Sequence, residues 1–452
     1  MKASKYNIIL TMDDGTKIAF NSMTCALAEI NDDFIEIIEK IDSLQYKKLD
    51  AKQKLLVDKM LEGNYIVHDN IDELKLIKYK HLSGKFNNES LGLTIAPTLS
   101  CNFECPYCYE NPKQSFIKED VVKGILEMVS EAAKRKKSIY VTWYGGEPLI
   151  AKDILFDMSE KMINICRENE TNYSAYIVTN GYLINNEIIC KFKETKINGM
   201  QITIDGPPYI HNKRRKLKGS DEGTFDVILT NVKKLSEAGV NVTIRVNIDK
   251  TNIDKLEELL DILEINGLKN IQLALGQVTA YTEACASVAE TCLDTEEFAK
   301  VNIIFQNILH KRGFISHGYP YYPGTKANYC TADTIGSFVV DPYGYMYKCW
   351  NDIGNIKRAV GNVKNFKEIL DHDMYTRYIN YILWSPFDHK ECIECKLLPI
   401  CMGGCPYNGE KNGSTPDCEK WKYNLEEILK LTYMQKKDML EENLEQKGAC
   451  SC

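Results

Sequence analysis

No stretch of the 452-residue chain approaches the roughly 20 consecutive apolar residues that a membrane span requires. Its first residues hold no apolar segment of the signal-peptide kind. A membrane protein and a secreted one are therefore not expected, and the expected location is cytoplasmic. An excess of positive charge is also missing. Lys and Arg number 56 against 63 Asp and Glu, a net charge of −7, which argues against a nucleic-acid partner. What the chain has in quantity is cysteine, 17 residues. In a cytoplasmic setting, and clustered in short C-x-x-C spacings, these read as metal ligands rather than disulfides. A content of 44% hydrophobic and 26% charged residues is that of a globular protein, and the length calls for two or three domains.

Cys101, Cys105 and Cys108 form a C-x3-C-x2-C run directly after the apolar Leu91–Ala96. Three thiolates on one loop hold three irons of a cubic [4Fe–4S] cluster and leave the fourth without a protein ligand. A zinc loop is the alternative reading of these residues alone.

Residues 1–85 read as a separate N-terminal domain. Tyr6–Met12 and Lys17–Asn21 flank Asp13-Asp14-Gly15-Thr16, a hairpin signal. Helical patterns follow at Asp33–Ile41 and Ala51–Leu61, then a short strand at Asn64–His68. Polar Lys78–Ser90 reads as a linker. From residue 91 strands alternate with helices, at Leu91–Ala96, Ser138–Trp143, Ser174–Val178, Met200–Ile204, Asn241–Asn247 and Asn270–Leu275. Phe225, Ile228, Val232 and Leu235 mark one of the intervening amphipathic helices. Repeated β-α units predict an α/β fold with a parallel sheet, and parallel barrels carry their chemistry at the carboxyl ends of the strands.

The cysteine run, with Tyr107 before the third cysteine, resembles that of the radical SAM enzymes. The resemblance implies a partial (β/α)6 barrel over 91–320 and an open iron that chelates S-adenosylmethionine. It also implies reductive cleavage of that cofactor to a 5′-deoxyadenosyl radical. Gly145-Gly146-Glu147-Pro148 stands where the family's GGEP motif receives the amino group of the cofactor. By the same resemblance Thr203 and Arg215 hold its ribose or carboxylate end, with Arg214 a rival for that role, and Asn247 is a further cofactor contact.

Cys330, Cys349, Cys392, Cys395, Cys401, Cys405 and Cys418 carry the spacing of the seven-cysteine SPASM domain, expected over 326–421 and followed by a helix and cysteine-containing tail over 422–452. The resemblance implies two auxiliary [4Fe–4S] clusters, three in all. Cys392, Cys395, Cys401 and Cys418 would hold the outer one, and Cys330, Cys349 and Cys405 the inner one. Related sulfatase maturases add a cysteine just before the first of these. Tyr321–Tyr329 contains none, while Cys285 and Cys292 lie farther upstream. The inner cluster is therefore expected to have an open iron, suited to a substrate thiolate.

Anaerobic sulfatase maturases also place a catalytic aspartate after the second SPASM cysteine. Here that residue is Trp350, with Asp352 two positions on. That departure, and the N-terminal extension, make the chain more similar to maturases that form thioether links on cysteine-rich ribosomal peptides. The extension resembles winged-helix modules that bind leader peptides, and an extension that only packs on the barrel is the alternative. The expected partners are a cysteine-rich precursor peptide and a flavodoxin- or ferredoxin-type reductant. Carbon–carbon crosslinking, sulfatase maturation and a non-catalytic metal-binding scaffold remain alternatives. Cys25, Cys166 and Cys190 read as core residues, the tail Gly448–Cys452 as disordered, and Tyr319–Tyr322 as either groove lining or packing.

Overall fold

The structure is a computed structural model that describes residues 1–110, 114–314, 322–367, 371–411 and 413–449, with side chains to 439. Tyr319–Tyr321 and the tail cysteines Cys450 and Cys452 lie outside the described residues. The chain divides into two compact units. One comprises 1–85, 318–329 and 385–452, the other 86–317 and 330–384.

In the first unit β1 (Lys2–Ala3) pairs with β5 (Ile66–Val67), while β2 (Asn7–Thr11), β3 (Lys17–Asn21) and β4 (Ala26–Ile30) form an antiparallel meander. Helix α1 (Asp32–Lys40) starts where the Asn31 side chain accepts from the Phe34 N–H, and α2 (Ala51–Glu62) starts at an Asp50–Gln53 capping box. Phe34, Ile37, Val57 and Met60 from these helices bury against Ala19 and Tyr65. The expected linker is instead mostly helix α3 (Glu73–Lys85). Ile77, His81 and Lys85 recur at four-residue spacing on its buried side, so only 86–89 are left to connect.

The compact units cut across the expected domain boundaries. The N-terminal module and the later cysteine segment are one unit. Lys5 donates to the Ile393 carbonyl at 2.8 Å, Ser22 to the Lys396 carbonyl at 2.5 Å, and Tyr433 in the final helix to Glu29 at 2.6 Å. Tyr322 packs on Phe20 and donates to the Cys25 carbonyl at 2.9 Å, an ordinary packing role.

The second unit holds six parallel strands in sequence order: β6 (Ser90–Ile95), β7 (Ser138–Trp143), β8 (Asn172–Thr179), β9 (Ile197–Thr203), β10 (Asn241–Ile248) and β11 (Gln272–Gln277). All six expected strands are present. Their parallel order matches the expected partial (β/α)6 barrel. Helices α4 (Glu119–Ala133), α5 (Lys152–Glu168), α6 (Asn186–Glu194), α7 (Pro208–Arg214), α8 (Phe225–Glu237) and α9 (Leu256–Ile265) fall between the strands, and α10 (Thr295–Lys311) follows them. Strand β10 shows the logic: Val242, Ile244, Val246 and Ile248 are buried, while Thr243, Arg245 and Asn247 take the opposite face.

Residues 326–421 are shared between the two compact units. Strand β12 (Ser337–Val340) pairs in parallel with β6, and the hairpin of β12 with β13 (Tyr345–Tyr347) and β14 (Gly361–Asn362) extends the barrel sheet. Strand pairing therefore assigns 330–384 to the second unit. Cys166 is buried in α5, Cys25 is half-buried, and Cys190, expected in the core, is exposed on α6.

Candidate active site

The cysteine loop leaves the carboxyl end of β6 and is held by backbone pairing. Glu104 N–H donates to the Lys216 carbonyl at 3.1 Å, and Lys218 N–H to the Asn102 carbonyl at 2.7 Å. The segment after α7, which begins with Arg215, thus clamps the loop. Beneath it lies the Gly145–Glu147 turn. Gly146 N–H donates to the Thr98 carbonyl at 3.2 Å and Glu147 N–H to the Ser100 carbonyl at 2.9 Å. A Cβ on Gly146 would stand 2.3 Å from the Ser100 carbonyl oxygen, so only glycine permits this approach.

A cavity of about 240 Å³ opens at these strand ends. Cys101, Cys105, Cys108, Tyr107, Gly145, Gly146, Thr203, Arg215 and Asn247, all expected from sequence, line it together. Glu147 and Pro148 are buried but do not line it. Glu147 Oε1 accepts from the Leu149 N–H at 3.0 Å and the Thr179 hydroxyl at 2.7 Å, and Oε2 from the Asn180 N–H at 2.8 Å. Its carboxylate ties the end of β7 to that of β8.

The two arginines at the end of α7 divide their work. Arg214 is paired with Asp249 at 2.7 Å and Asp205 at 3.4 Å. Arg215 reaches the cavity, donates to the Tyr107 hydroxyl at 2.8 Å, stands over the Phe103 ring and, among the described residues, has no partner for its buried Nε. Tyr107 in turn is hydrogen-bonded to Asp205.

Burial pushes the Cys101 thiol up to about 12, and it also raises Cys105 and Cys108. These thiols are protonated until a metal replaces the protons. Three soft donors on one loop, a glycine backbone cradle and an orphaned guanidinium nitrogen fit an iron–sulfur cluster with an anionic co-ligand. Among the described residues no group of three or more Cys, His, Asp or Glu is placed to hold a single metal ion.

The opposite wall was not assigned from sequence. Tyr109 and Tyr144 meet through their hydroxyls, and Tyr144 packs on Trp350 with ring centroids 4.7 Å apart. Glu110 lines the wall, its Oε2 has no partner among the described residues, and burial pushes its carboxyl up to about 8. Arg245 lines the cavity from the same β10 face as Asn247. The two-residue alternation ending at Asn247 was the available signal for it. Asp352 does not line the cavity and pairs with Arg358 at 3.1 Å.

In the first unit Cys392, Cys395, Cys401 and Cys418 line one cavity of about 510 Å³, which fits a four-thiolate cluster. Burial pushes Cys392 up to about 12 and Cys401 to about 11. Of the remaining three, Cys405 belongs to the first unit, and Cys330 and Cys349 to the second. Cys285 and Cys292 turn their thiols onto local carbonyls, those of Thr282 and Val288, each at 3.3 Å.

Residues 95–263 match the radical SAM superfamily. The chain is 26% identical over 379 residues to a cysteine-type anaerobic sulfatase-maturating enzyme of Clostridium novyi, covering 77% of this chain and 98% of that protein. It shares the fold of the anaerobic sulfatase maturase anSMEcpe, solved with bound AdoMet and the Kp18Cys peptide, at a TM-score of 0.60, 20% identity, and coverage of 78% and 99%. The Streptococcus suis SuiB structure bound to the precursor peptide SuiA matches at a TM-score of 0.53 and 18% identity, covering 93% of this chain and 98% of SuiB.

Proposed function

We propose that this chain, which is a radical SAM enzyme of the SPASM-domain type, oxidatively modifies a ribosomally made, cysteine-rich precursor peptide. Its product is a thioether between a peptide cysteine and an unreactive carbon. The reading is carried by Trp350. This side chain stands in the cavity wall directly after Cys349, where the sulfatase-maturating pattern has a carboxylate, and it cannot accept a proton. Deprotonation by a carboxylate base at that position, as formylglycine formation requires, has no support there.

Cys101, Cys105 and Cys108 would hold the cofactor-binding cluster, and Gly145, Gly146, Thr203, Arg215 and Asn247, which line the same cavity, would contact the cofactor. Glu147 and Pro148 brace the turn from behind. By the resemblance, Cys392, Cys395, Cys401 and Cys418 would hold an outer auxiliary cluster, and Cys330, Cys349 and Cys405 would be the ligands of an inner one. When bound, these groups supply a hydrogen-abstracting 5′-deoxyadenosyl radical and take up the leftover electron. The protein positions the reacting carbon and excludes water from the cavity. Each link removes one hydrogen from carbon and one from the thiol, two from the peptide in all, and bound auxiliary clusters would accept the electron left over.

The N-terminal meander and helices suit recognition of the peptide's leader. A flavodoxin- or ferredoxin-type protein supplies electrons, and the setting is the cytoplasm. Among the described residues no helix is long and apolar enough to cross a membrane. The test is anaerobic co-expression with a cysteine-rich peptide encoded beside the gene, followed by alkylation and mass spectrometry. Loss of two hydrogens per link, with the linked cysteines resistant to alkylation after reduction, supports the reading. Hydrogen loss with every thiol still alkylatable moves it to carbon–carbon crosslinking.

A further inference from the structure

Arg245 stands at the carboxyl end of β10 with its guanidinium in the cavity wall. Its Nε donates to Asn247 Oδ1 at 2.8 Å. Among the described residues no carboxylate pairs with it, in contrast to Arg214, which is held by two. Glu110, the acidic residue of the same wall, is not one of its partners. The chain makes room for this side chain at Gly276 on the neighbouring strand β11. A Cβ there would fall 2.3–2.5 Å from Arg245 Nε, Nη2 and Cζ.

Arg245 and Arg215 also act on different parts of the cavity. The charge of Arg215 is felt by Cys101, Cys105 and Glu147. That of Arg245 is felt by Tyr144, the ring that packs on Trp350. One guanidinium serves the cysteine loop and the other serves the aromatic wall. S-adenosylmethionine brings a single carboxylate, which Arg215 is placed to take. A second half-buried guanidinium whose terminal nitrogens have no partner among the described residues costs desolvation unless a second anion meets it. Its remaining N–H groups form a fork suited to two oxygens.

We infer that Arg245 is a specificity-determining residue that pairs with a carboxylate side chain of the substrate, an Asp or Glu held against the Tyr144–Trp350 wall. The inference rests on the peptide-modifying reading above.

The test is a display selection. Randomised peptides with one fixed cysteine, linked through their C-termini so that only side chains offer a carboxylate, are selected on the anaerobically loaded full-length enzyme with S-adenosylmethionine. Wild type is expected to enrich Asp or Glu at one spacing from the cysteine, roughly tenfold or more over Asn and Gln. Arg245→Gln is expected to lose that preference, and Arg245→Lys to keep part of it. Cofactor affinity of each variant, measured without peptide, shows whether the binding site is intact. Wild-type selection without acid enrichment overturns the proposal, and this arm needs no variant to fold. Equal enrichment by Arg245→Gln also overturns it. Loss of cofactor affinity in Arg245→Gln assigns the guanidinium to the cofactor and overturns it as well. Peptides that are captured and modified without acid preference defeat this inference alone. An enzyme that cleaves the cofactor but modifies no peptide defeats the underlying reading.

Discussion

The guanidinium of Arg215 donates to the hydroxyl of Tyr107 at 2.8 Å, and that hydroxyl also meets Asp205. The aromatic residue of the cysteine run therefore fixes the cation that faces the cavity.

Tyr107→Phe removes the hydroxyl and leaves Arg215 free to turn. A hydrogen bond to a charged group is worth about 1.5–3 kcal/mol, so S-adenosylmethionine binding is expected to weaken by roughly tenfold or more. Equilibrium binding to the anaerobically loaded protein checks this. Unchanged affinity would remove Arg215 from the cofactor site.

Gly146→Ala drives a Cβ to 2.3 Å from the Ser100 carbonyl. The cysteine loop must move, so the cluster at Cys101, Cys105 and Cys108 is expected to be lost while iron at Cys392, Cys395, Cys401 and Cys418 stays. Iron content with Mössbauer spectra resolves the sites. A full iron complement would show that the loop tolerates the displacement.

Iron loading at the cysteine loop is expected to strengthen with rising pH. Burial holds Cys101 near 12 and raises Cys105 and Cys108, so each thiol must give up a proton to bind iron. Loading at pH 6 should lag loading at pH 8.5, with proton release measurable in weak buffer.

Glu110 links stability to pH. Its carboxyl is pushed from 4.5 to about 8 by burial, so between these values the folded protein keeps a proton that the unfolded chain loses. The stability it contributes is full below pH 4.5 and falls as pH rises toward 8, by an amount on the order of a few kcal/mol. Glu110→Gln is expected to flatten that slope in the iron-free protein and to raise its denaturation midpoint at pH 7. An unchanged slope would place Glu110 in contact with water.

The barrel was legible because its signals are local. Strands β6 to β11 each carry an apolar face, and Cys101–Cys108 and Gly145–Pro148 follow their strands directly. What sequence did not reveal depends on distant partners. Helix α3 reads as polar linker until Ile77, His81 and Lys85 find buried surroundings. Arg214 and Arg215 are equivalent on paper, and what separates them is the pairing of Arg214 with Asp205 and with Asp249, which arrives after β10. Glu147 turns from the cavity because Thr179 and Asn180 bring donors from the next strand. The pairing of Ser337 with Gly92 joins segments that no local pattern connects.

That last pairing bears on how the chain can be cut. Strand β6, which delivers the cysteine loop, is flanked by β7 on one side and β12 on the other. A chain ended at Tyr329 would keep every residue of the expected 91–320 core yet strip β6 of one neighbour. Its row of amide and carbonyl groups would become an open sheet edge, a template for joining other copies. The minimal soluble core therefore has to run through the β14 hairpin, and the cysteines at 330 and 349 travel with it.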